Sequence, residues 1–120
     1  MEADSDFILG ESAEEISKLE DESVSCYLID PPYGIEWAGG RWSAEGVPSK
    51  FVKDMKYHDD IKNDDLEGAL RVLDESLAAV YPKLKEGSHV YVFTAWQTYS
   101  HFEAIIKKYF DMKNLLVWVK

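Results

Sequence analysis

Apolar positions along the chain recur with two periods, and the switches between them mark the elements. Leu66, Leu70, Leu73, Leu77 and Val80 are three or four residues apart, which puts one apolar stripe along a helix. Asn63, Asp64 or Asp65 stands where the N-cap of that helix belongs, and Pro82 and Gly87 punctuate its far end. Ser12 and Glu15 have capping-box spacing and predict a helix over about 13–20, with Ile16 and Leu19 inward. Ser100 and Glu103 repeat the signature ahead of a helix carrying Phe102, Ile105, Ile106 and Tyr109. Between the helices lie nearly unbroken apolar runs. Ser23 to Ile29 reads as a strand buried on both faces, as in a parallel sheet. His89 to Ala95 reads as a second strand and Leu115 to Val119 as a third, while Phe7-Ile8-Leu9 is a short run closed by Gly10. The order β-α-β-loop-α-β-α-β predicts an α/β fold with a parallel sheet and right-handed crossovers. A chain that halts within its last strand, at Lys120, predicts a sheet these residues leave incomplete.

The stretch from Tyr33 to Lys62 shows neither period. It holds Gly34, Gly39, Gly40, Gly46 and Pro48 among Trp37, Trp42, Phe51 and Tyr57. An irregular loop of that length with many aromatic residues is expected to be functional. The length of 120 residues fits a single domain, residues 1–120, that includes this active-site loop 33–62. With 46% hydrophobic residues the composition is that of a folded protein. The net charge of −10 argues against a chain that grips a phosphate backbone unaided, because that affinity comes from Lys and Arg. Lys50, Lys53, Lys56 and Lys62 form a modest basic stretch in the loop, where a solvated loop is the simpler reading. Cys26 is the one cysteine, which excludes an intrachain disulfide and reads as an inert buried thiol. His58 with Asp59 and Asp60 lacks the spacing and second cluster of a metal site, so no metal is expected. No signal-peptide pattern and no apolar run of bilayer length occurs, which predicts a cytoplasmic protein with no membrane partner.

Candidate chemistry sits where the first long strand ends. Asp30-Pro31-Pro32 must stop that strand, since two prolines remove two ladder donors. In open α/β sheets ligands bind beyond the carboxyl ends of the strands. There the Asp30 carboxylate is one acceptor, and the Pro31 carbonyl, released from the ladder by Pro32, is a second. Tyr33 adds a flat face. Together they suit a planar group bearing an NH₂. The lone pair of such an amine is delocalised into its ring, and two acceptors on its N–H bonds favour a pyramidal, nucleophilic nitrogen. Positive charge growing on that nitrogen is stabilised by Asp30, and stacking on Tyr33 holds a base out of its duplex. The segment Thr94-Ala95-Trp96 follows a strand tip and is expected to wall the same cleft.

Asp-Pro-Pro-Tyr after a buried strand resembles the catalytic signature of the N6-adenine and N4-cytosine DNA methyltransferases. The resemblance runs in order through Leu9-Gly10-Glu11-Ser12, Ser23 to Asp30, Leu84-Lys85-Glu86-Gly87-Ser88, Val90-Tyr91-Val92-Phe93 and Asn114 to Lys120. It implies a Rossmann-like sheet, S-adenosylmethionine as cofactor, and methylation of an exocyclic amino group in DNA, adenine before cytosine, as in restriction-modification systems. It implies catalytic roles for Asp30, Pro31, Pro32 and Tyr33. Glu11, in place of the family's usual Asp, becomes a cofactor contact together with Asp30, and Tyr33 and Trp37 become base contacts. The family's Gly-rich cofactor motif does not occur in these residues. The resemblance therefore implies a catalytic half, with cofactor strand and DNA-reading region in further sequence, a complementary subunit or a homodimer. Two alternatives stand beside it. One is a non-catalytic remnant serving as a subunit or interaction module; the other is a methyltransferase acting on RNA or a protein amide.

Overall fold

The computed structural model describes residues 4–35 and 63–119. In order these form α1 (Ser12–Ser17), β1 (Val24–Ile29), α2 (Leu66–Val80), a 3-10 turn (Tyr81–Lys83), β2 (Leu84–Val92) and α3 (Tyr99–Ile106). The strands pair in parallel, so the fold is a small mixed α/β domain whose sheet has two strands among the described residues. Tyr27 faces Val90, Leu28 faces Tyr91 and Ile29 faces Val92 in the ladder. The amide of Phe93 then donates to the Ile29 carbonyl at 3.0 Å, continuing the pairing to the strand tip. The register breaks between Val24 and Cys26, where Lys85 to Ser88 bulge out and the Ser88 hydroxyl donates to the Val24 carbonyl at 2.9 Å. This bulge is why the apolar pattern places the strand's start at His89, while β2 begins at Leu84.

The predicted stripe of α2 is the core. Leu73 and Leu77 are fully buried with Phe102 of α3, and Tyr27, Leu70, Val92, Ile105 and Ile106 pack around them. Asp65 is the N-cap of α2, its carboxylate accepting from the Gly68 amide at 3.1 Å. Gly68 leaves room for this turn, since a Cβ there would lie 2.6 Å from the Asp65 carboxylate and 3.0 Å from the Asn63 Cα. α1 lies on α2 through its Ser12 hydroxyl, 3.2 Å from that of Ser76.

Four expectations are corrected. Among the described residues β1 is covered on one face only: Leu28 is 62% exposed and Cys26 is exposed rather than an inert buried thiol. An apolar run specifies extended backbone, and only a second layer makes it buried on both sides. Phe7-Ile8-Leu9 and Leu115 to Val119 are not strands, because neither finds a ladder partner among the described residues, and all of these side chains are exposed. Neither capping box forms. Ser12 lies inside α1, whose N-cap is Glu11, and its hydroxyl goes to Ser76, while Glu15 pairs with Lys18 at 2.9 Å. In α3 the N-cap is Thr98, and Glu103 pairs with Lys107 at 3.1 Å.

Candidate active site

β1 ends at Ile29, and Asp30 emerges from its carboxyl end as an exposed carboxylate. Pro31 is buried beneath it, and Pro32 and Tyr33 are half-buried. The prolines end the strand as their missing donors require, and the chain then turns at Gly34, whose φ is +73°. A Cβ at that position would lie 3.1 Å from the Leu66 Cα, so the turn also needs glycine to approach the start of α2.

The Tyr33 hydroxyl donates to Asp30 Oδ1. Burial, and then this bond and the charge of Asp30, push the phenol up to about 12, so it keeps its proton at any neutral pH. The backbone of Tyr33 is held from two further directions. Asp64 Oδ1 accepts from the amide of Tyr33 at 3.1 Å and from that of Gly34 at 3.0 Å. Thr98 Oγ1 donates to the Tyr33 carbonyl at 2.6 Å. Asp64 is 6% exposed and Thr98 7%, so these bonds lie where water competes poorly. Asn63, with φ +61°, turns the chain so that Asp65 caps α2 while Asp64 points back to the tip.

The expected site residues fall into three groups. Asp30, Pro31, Pro32 and Tyr33 are together at the strand tip. Glu11 is the N-cap of α1, and the residue after it, Ser12, meets α2 at Ser76. Trp37, Trp42, His58, Asp59, Asp60 and the four loop lysines lie outside the described residues. Of the expected wall, Thr94 and Ala95 are half-buried, whereas Trp96 is 84% exposed. Two residues beyond that segment, Thr98 reaches the tip.

Asp64 and Thr98 went unassigned in the sequence because each has the composition of a helix cap. Asp64 was one of three candidate caps for α2, and Thr98 precedes a capping-box pattern. No local spacing marks a side chain that bonds to a distant loop.

No family model matches the chain, and comparison with curated proteins and with solved structures finds no match. No helix among the described residues is long and apolar enough to cross a membrane.

Proposed function

We propose that this chain is the amine-holding part of an S-adenosylmethionine-dependent DNA methyltransferase, with N6 of adenine as the preferred target over N4 of cytosine. The observation that carries this reading is the tip: an exposed carboxylate at the carboxyl end of a parallel strand, bonded to an aromatic residue whose backbone is tied down on both sides. A parallel pair joined through α2 is what part of a Rossmann-like sheet requires, and the order of elements agrees with it.

In this reading Asp30 accepts an N–H of the amine through the oxygen that Tyr33 does not use. The tyrosine ring supplies a surface on which the base stacks, worth about 1–3 kcal/mol per base in single-strand binders. The neutral phenol adds no second negative charge beside Asp30.

The described residues do not fit the cofactor by themselves. Among them no glycine-rich turn lies beside the tip. The cofactor's cradle is therefore assigned to polypeptide beyond these residues. The same holds for DNA: a chain of net charge −10 needs basic surface from elsewhere to hold phosphates.

A second reading, a non-catalytic subunit, draws on one observation, the extent of exposed apolar surface from Leu115 to Val119 and on the outer face of the sheet.

The test is transfer of labelled methyl from S-adenosylmethionine to DNA, RNA and peptide, by wild type and Asp30→Ala, each combined with the polypeptide that supplies the cofactor's cradle. Incorporation into DNA that Asp30→Ala loses is the expected result. Equal incorporation by both proteins, or label on peptide alone, sinks the DNA reading.

A further inference from the structure

We infer that Asp64 and Thr98 are positioning residues, acting through the backbone of Tyr33 to set where the aromatic ring and the Asp30 carboxylate stand. The inference rests on the amine-holding role proposed for the tip. Three hydrogen bonds converge on one peptide segment from elements remote in sequence. Asp64 Oδ1 takes the Tyr33 and Gly34 amides at 3.1 and 3.0 Å, and Thr98 Oγ1 gives its proton to the Tyr33 carbonyl at 2.6 Å.

The bonds differ in kind. Two consecutive amides pointed at one carboxylate oxygen form a charge-assisted pair, which resists rotation of the peptide between Tyr33 and Gly34. The Thr98 bond fixes the carbonyl side of that same peptide. A rotation about either flank breaks a bond at a side chain that is 6% or 7% exposed, where water does not readily replace it.

The clamp also joins three parts of the fold. Asp64 immediately precedes the cap of α2, and Thr98 is the N-cap residue of α3, yet the Thr98 side chain makes no cap bond. Its hydroxyl is turned to Tyr33 instead. A cap bond by Ser, Thr, Asp or Asn is worth about 1 kcal/mol. α3 goes without one, and the tip gains a fixed carbonyl. Because the Tyr33 hydroxyl bonds to Asp30, orientation imposed on the Tyr33 backbone passes to the carboxylate as well.

Two readouts test this. Amide hydrogen exchange by NMR at Tyr33 and Gly34 reports the clamp whatever the chain's activity. Titration with deoxyadenosine reports its consequence for amine binding. The variants are Asp64→Ala and Asp64→Asn, Thr98→Val and Thr98→Ser, with Leu73→Val as a control that loses stability without touching the clamp.

Expected are protected amides in wild type and Asp64→Asn, and exchange at least about tenfold faster in Asp64→Ala, a change of about 1.4 kcal/mol in local opening. Asp64→Ala and Thr98→Val weaken deoxyadenosine binding roughly tenfold, Asp64→Asn and Thr98→Ser restore most of it, and Leu73→Val leaves it unchanged. Unaltered exchange in Asp64→Ala overturns the clamp. Altered exchange with unaltered deoxyadenosine affinity overturns the positioning role. A wild type with protected amides and no deoxyadenosine affinity overturns the amine-holding reading itself, and the positioning role with it.

Discussion

Tyr33 holds its hydroxyl against the Asp30 carboxylate, and that bond occupies an acceptor an incoming amine could use. Tyr33→Phe keeps the ring and removes the competing donor. Its expected outcome is deoxyadenosine affinity lowered about two- to fivefold, checked by titration, because the hydroxyl holds Asp30 in its working orientation; a gain of affinity instead means that the hydroxyl only competes with the amine. The same substitution has a pH signature. The phenol is raised from its ordinary 10.0 to about 12 in the folded chain. Folding then binds that proton more tightly, so the stabilisation is fully present below pH 10.0 and is lost as pH rises towards about 12. The phenols of Tyr27, Tyr99 and Tyr109 are also raised, but they are common to both proteins and cancel in a difference. The gap in melting temperature between wild type and Tyr33→Phe should be flat from neutral pH to about 9.5, then move against wild type above it. A gap that stays flat through pH 11 shows that the phenol is not raised in the folded protein.

At the scale of elements, α2 is the piece most fully legible in the sequence, and the reason is physical. A stripe repeated over four turns sums many weak preferences, and burial of Leu73, Leu77 and Val80 follows directly from it. The strand tip was legible too, because two prolines leave a strand no way to continue. Strand partners were not. Phe7 to Leu9 and Leu115 to Val119 have the residues of strands, but pairing depends on a neighbouring edge that a local pattern does not contain. The clamp was hidden for a related reason, since Asp64 and Thr98 look like caps until the chain brings residue 33 beside them. The joint between α2 and α3 gives the clearest stability prediction. Phe102 is fully buried against Leu73 and Leu77, and Phe102→Ala should cost about 3–5 kcal/mol. Since small domains are stable by only about 5–15 kcal/mol, urea melts should show a large share of the stability gone. Asp74 strengthens the same joint by accepting from Lys108 Nζ at 2.8 Å and from the Tyr109 hydroxyl at 2.5 Å, which holds its carboxyl below the ordinary range. That contribution is present above the ordinary carboxylate range and fades as acid protonates Asp74. A change under 1 kcal/mol in Phe102→Ala shows that α3 does not complete the core.

For the molecule as a whole, what distinguishes the fold is a sheet covered, among the described residues, by helices on one side only. Leu28 and Tyr91 are cross-strand partners on the other side, 62% and 45% exposed, and His89 stacks on Tyr91 with ring centroids 6.4 Å apart. Exposed apolar surface of this kind binds hydrophobic dyes even when the core is well packed, so wild type should enhance the fluorescence of anilinonaphthalene sulfonate at neutral pH. A partly unfolded core gives the same enhancement, and one substitution separates the two causes. Leu28→Lys places a charge at the centre of the open face while altering little of the packed side. Substitutions at exposed positions usually change stability by within about 0.5 kcal/mol, which for a domain of this size is a shift of roughly 2–4 °C in melting temperature. Dye fluorescence should fall by about half with melting nearly unchanged. Equal fluorescence in both proteins places the dye elsewhere and removes the open face as its site. A large drop in melting temperature shows that Leu28 is packed against the chain, and the sheet then has two covered faces after all.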